Sequence, residues 1–109
     1  MVTTPKVLYR GRINTAEQTV YTVPVNKIAI ITGITLCNNG VDMSTLTLSV
    51  VPNGDVASLD NRIMNMEEFD FKSSISLKYN IPMQSGDFIS GLQGTENAIT
   101  ITISGVEIE

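Results

Sequence analysis

The sequence predicts an all-β fold: one antiparallel β-sandwich, jelly-roll-like, with seven to eight strands. Three observations carry this. Ile, Val and Thr number 13, 10 and 12, so about a third of the 109 residues are β-branched, against 4 Ala and 7 Leu. Such side chains lose rotamer freedom in helices and pack well on a pleated surface. Runs with period-two alternation recur along the chain, separated by turn residues roughly every 8–12 positions. The length suits one domain over residues 1–109, with 1–8 as an N-terminal arm.

The first strand is expected over 9–13, reached through an arm that Pro5 keeps out of a helix. A second, 19–23, ends at Pro24, which suits a strand end or edge. After a turn at Val25-Asn26-Lys27, residues 28–37 carry Ile28, Ile30, Ile34 and Leu36 on one face and Ala29, Ile31, Gly33 and Cys37 on the other. Apolar residues on both faces predict a central, buried strand. Asn39-Gly40 turns the chain into 45–51, where Leu46, Leu48 and Val50 point inward and Thr45, Thr47 and Ser49 outward. Pro52-Asn53-Gly54-Asp55 is a turn. Residues 56–66 lack alternation and read as a short helical turn or an ordered loop. Alternation resumes over 69–79, with Phe69, Phe71, Ile75, Leu77 and Tyr79 on one face. After Ser85-Gly86-Asp87 come strands at 88–92 and 98–104; the apolar side then passes to Val106 and Ile108, predicting a bulge at Gly105.

Composition limits the chemistry. With no His and one Cys, the commonest general base and zinc ligand are missing and no internal disulfide can form. A net charge of −4 with 7 basic residues does not fit nucleic-acid binding. No apolar stretch suits a signal peptide or a membrane span, so the chain is expected to be made in a reducing cytoplasm without a membrane partner. Glu67, Glu68, Asp70, Asp55 and Asp60 read as solvated charges in preference to a structural cation site, and least of all as a glycosidase pair. Cys37, without a basic neighbour, reads as a buried structural thiol. No catalytic residue, metal ligand or cofactor is expected, and the chain reads as non-enzymatic.

Two groups are candidates for subunit or shell contact. Tyr9, Arg10 and Arg12 form the one basic cluster with an aromatic neighbour: guards on an edge strand, or partners across an interface. The second group is Arg62, Ile63, Met64, Met66 and Phe69. Methionine adapts to irregular apolar gaps, so this segment either plugs one open end of the sandwich or meets a neighbour.

Leu8-Tyr9-Arg10-Gly11, Val20-Tyr21-Thr22-Val23-Pro24, the long Ile/Val/Thr strand ending in Asn38, Leu46 to Pro52, Gly86-Asp87, and the closing Ile103-Ser104-Gly105-Val106-Glu107-Ile108 follow one another in an order that resembles small β-sandwich virion structural proteins of tailed bacteriophages. The resemblance implies a capsid decoration or cement protein, or a tail- or fibre-associated part, assembled in the host cytoplasm and located in the virion. It implies two partners: further copies of the chain, as a homotrimer, and the major capsid or tail proteins. The alternative is an adhesin module binding host-surface glycan, with Tyr9, Tyr21 and Tyr79 as its aromatic candidates.

Overall fold

A computed structural model describes residues 2–109. Eight strands follow one another: β1 Thr3–Arg12, β2 Gln18–Thr22, β3 Ile28–Asn38, β4 Ser44–Val51, β5 Arg62–Phe69, β6 Ser74–Met83, β7 Phe88–Gln93 and β8 Ile99–Ile108. They form two four-stranded sheets, A in the order β1-β8-β3-β6 and B in the order β2-β7-β4-β5. The first strand pairs with the last, the second with the seventh, the third with the sixth and the fourth with the fifth, all antiparallel. A long hairpin folded over on itself gives this arrangement, the eight-stranded jelly roll. The core lies between the sheets: Ile31, Ile34, Leu36, Ile99, Ile101 and Ile103 from A meet Leu46, Leu48, Met64 and Ile89 from B.

Several sequence expectations are corrected. The expected N-terminal arm is the first half of β1, with Pro5 on an edge strand, where a missing N–H is tolerated. Strand β3 is not apolar on two buried faces. Its register slips between Ile31 and Gly33 against both neighbours, so Ala29, Ile31, Ile34 and Leu36 all face the core. Ile28, Ile30, Thr35 and Cys37 take the outer side, and the Cys37 thiol is half-exposed, donating to Asn39 Oδ1.

The bulge expected at Gly105 lies instead on the strands flanking it, at Leu8 in β1 and Thr32 in β3. Strand β8 keeps its alternation, which turns Glu107 inward and Val106 and Ile108 outward. Glycine is required at 105 by close approach: a Cβ there would stand 2.4 Å from the Ile30 carbonyl oxygen and 2.8 Å from Leu8 Cδ1.

The expected strand 69–79 is broken by a turn at 70–73, where Lys72 adopts φ +58°. Its alternation is a coincidence of two strand ends: Phe69 closes β5, and Phe71 projects from the turn, 52% exposed. Buried Asn38 fixes the turn. Its Nδ2 donates to the carbonyls of Asp42 and Phe69, and its own carbonyl accepts from Lys72 N–H. In the loop after β4, Leu59–Asn61 form a 3-10 turn closed by a capping box between Ser58 and Asn61. That turn packs on β4, with Leu59 exposed, and it is Met64 that enters the core.

Candidate interaction surfaces

Residues paired across antiparallel strands share a face, so the register maps the outer surface of sheet A. One row runs Pro5, Val106, Ile30, Pro82, and the next places Ile108 against Ile28. With Val7, 41% exposed, and Ile28, 46% exposed, these form an apolar patch over one half of the face. The other half carries hydroxyls and one thiol: Thr102, Thr35 and Ser76 in one row, Thr100, Cys37 and Ser74 in another. Arg10 and Arg12 flank these rows on β1. Beside the patch, an open hollow of about 570 Å³ is lined by Asn26, Lys27, Ile28, Ser85, Ile108 and Glu109 among others.

The outer face of sheet B differs. Thr47, Ser49 and Ser90 point outward as alternation predicts, yet they are 2%, 0% and 3% exposed. Ser90 Oγ donates to Glu17, Thr47 Oγ1 accepts from Met66 N–H, and the 3-10 turn lies against β4. Ser44 Oγ, Ser49 Oγ and Arg62 Nε are buried without a partner.

The eight contact candidates fall on two strands that edge different sheets. Tyr9, Arg10 and Arg12 lie on β1; Tyr9 packs against the core and donates its hydroxyl to the Arg12 carbonyl, while Arg10 and Arg12 are exposed. The other five lie on β5, whose ladder with β4 slips twice. Met64 is core, Ile63 and Phe69 pack against it, and Arg62 reaches Asn65. Met66 alone stands out, 64% exposed with φ +53°. Bulges of this kind blunt an edge against uncontrolled pairing.

The cluster that sequence reading missed centres on Glu107, 4% exposed. Its carboxylate accepts from the Tyr21 hydroxyl of β2 and from Lys6 and Lys27, at 3.3 and 3.4 Å. Lys27 also pairs with Glu109 at 3.4 Å. The hydrogen bond from Tyr21, aided by the two lysines, holds the Glu107 carboxyl below its usual range despite burial. Burial, then the bond to Glu107, pushes the Tyr21 hydroxyl well up, and the bonds to Glu107 and Glu109 raise Lys27. The signal was available: an acid at an inward position of an alternating strand needs a partner. The expected bulge concealed it by assigning Glu107 to the outside. Among the described residues, no three of His, Cys, Asp and Glu stand close enough to hold a metal ion.

No known family model and no curated protein matches the chain. Among solved structures it is similar to a protein of the T13 particle of infectious bursal disease virus, with 6% identity and a TM-score of 0.55 over 99% of this chain. The chain spans 31% of that viral protein's length. It is also similar to a protein of the Gx strain of that virus, at 7% identity and a TM-score of 0.46 over 97% of this chain and 30% of the other. A xylan-binding module, CBM86 from Roseburia intestinalis, matches at 13% identity and a TM-score of 0.36, over 100% of this chain and 96% of the module. The first likeness supports the β-sandwich fold. The other two are weaker, and nothing is drawn from them.

Proposed function

We propose that this chain is a non-enzymatic structural protein of a tailed-phage virion, a capsid decoration or cement protein mounted on the particle as a homo-oligomer. The observation that carries the reading is the outer face of sheet A. It is an open surface, one half of it apolar, with Val7 and Ile28 more than a third exposed, while the β4–β7 centre of sheet B's outer face is covered. An apolar patch built from rigid strands is the kind of surface that a protein partner covers. The patch meets the shell, and the strand edges meet neighbouring copies; the trimer rests on analogy with decoration proteins. Jelly rolls recur in viral capsid domains and also in lectins, so the fold agrees with this role without choosing it.

An adhesin would present aromatic platforms. Here Tyr9, Tyr21 and Tyr79 all pack against the core, and the Tyr21 hydroxyl is held by Glu107. Immunogold labelling of purified particles tests the proposal. Label spread over the capsid is the expected result; label confined to the tail, or none on the particle, overturns it. Saturable binding to host-wall glycans, lost on Tyr9→Ala, would put the adhesin in its place.

A further inference from the structure

We infer that copies of this chain join head to tail, the basic edge of β1 in one copy against the acidic end of β5 in the next. The inference rests on the homo-oligomer of the proposed function and names its contact. Strand β1 carries Lys6, Arg10 and Arg12 and no acid. Lys6 is taken by Glu107, which leaves Arg10 and Arg12 exposed at the edge beside Thr102 and Thr100, Arg12 donating to the Asn97 carbonyl and neither paired with an acid among the described residues. On β5 and the turn after it, Glu67, Glu68 and Asp70 are exposed and none forms an ion pair within this chain among the described residues; the bases on the same stretch are Arg62, held by Asn65 at the other end of β5, and exposed Lys72 in the turn.

The strand order sets these groups on opposite sides. Strand β1 edges sheet A beside β2, the edge of sheet B, whereas β5 and β6 are the edges on the far side. The register sets them at the same height. Glu67 pairs with Leu46, Leu46 with Gln93, and Gln93 bonds to the carbonyl of Ile13, the residue after Arg12. Two complementary patches on one molecule make a heterologous contact, which gives a closed ring when the rotation closes and a filament when the patches are offset along the axis. Equal height leaves no offset along the strands, and the rotation between copies then sets whether the assembly closes. Apolar side chains accompany the acidic edge, with Met66 64%, Phe71 52% and Ile75 42% exposed, so the contact buries more than charge. The two slips in β5 and the proline in β1 disfavour backbone pairing along these edges and leave recognition to side chains.

Sedimentation of the full chain tests this with four proteins. The wild type should associate at micromolar to millimolar concentration, less so in high salt. Arg10→Glu with Arg12→Glu, and separately Glu67→Lys with Glu68→Lys, should each weaken association by about tenfold or more. The chain carrying all four changes should regain it, because its edges are again complementary. A monomeric wild type, either pair leaving the mass unchanged, or a folded four-fold variant that stays dissociated would overturn the inference. Circular dichroism confirms folding in each case. Unchanged mass on charge reversal removes this contact alone, while absence of the chain from particles removes the proposed function itself.

Discussion

The two ends of the sandwich are tied by different chemistry. At the end where β8 begins, buried Gln93 of sheet B reaches across to sheet A's side of the core. Its Nε2 donates to the Ile13 carbonyl and its Oε1 accepts from Ile99 N–H. At the end where β8 finishes, Glu107 of sheet A takes the Tyr21 hydroxyl of sheet B, with two lysines around it. One clamp is a neutral amide that satisfies two backbone groups. The other is a carboxylate whose charge is needed. The first should be indifferent to pH, and the second should fail in acid.

Breaking the neutral clamp should cost most. Gln93→Leu keeps the volume but leaves the Ile13 carbonyl and Ile99 N–H buried and unpaired, at about 1–3 kcal/mol for each lost partner. We expect a loss of about 3 kcal/mol in denaturant unfolding, the same at neutral and acid pH. A deficit that shrinks in acid would show that the two ends are not independent.

Glu107→Gln should cost less, about 1–2 kcal/mol at neutral pH. The lysines it abandons are 43% and 30% exposed and remain hydrated, so no charge is left stranded in the core. The sign of the pH dependence follows from the depressed carboxyl. Its stabilisation is complete above the pKa of an unfolded glutamate and fades as pH falls through the lower folded value. Wild type and variant should therefore converge in acid, and parallel stability curves would refute the assignment. Tyr21→Phe, smaller again at about 1 kcal/mol, removes the strongest of the interactions that lower Glu107. The acid limb of the stability curve should then move to higher pH.

The two clamps also mark what the sequence could and could not tell. Alternation in 45–51 and 99–103 placed Leu46, Leu48, Ile99, Ile101 and Ile103 in the core, because a period of two assigns the face directly. It failed wherever a bulge or turn inserts a residue. The slip at Thr32 made one inward row look like two apolar faces, and the turn at 70–73 joined two strands into one apparent alternation. Glu107 was lost in the same way, by placing a bulge on β8 that belongs to its neighbours. The candidate interaction surface was only partly legible. Thr and Ser on outer positions signalled neutral faces, but only register together with exposure shows that sheet A's is open and the centre of sheet B's is covered.

A change that touches neither clamp carries the most information on function. The Glu107 end also holds the apolar patch: Val106 and Ile108 flank that residue on the outer side of β8, and Ile28 stands opposite Ile108. Ile28 is 46% exposed, so Ile28→Ser gives up only about half of an isoleucine's burial, and Ile108→Ser somewhat more. Together they should lower stability by about 2–3 kcal/mol on an area basis. If the patch is the shell-facing surface, the same pair should abolish retention on particles while leaving self-association through the lateral edges intact. Thr35→Ser with Thr102→Ser, on the hydroxyl rows of the same face, should leave particle retention unchanged. Equal loss from both pairs would mean that the whole face is covered, and loss from neither would place the shell contact on another surface.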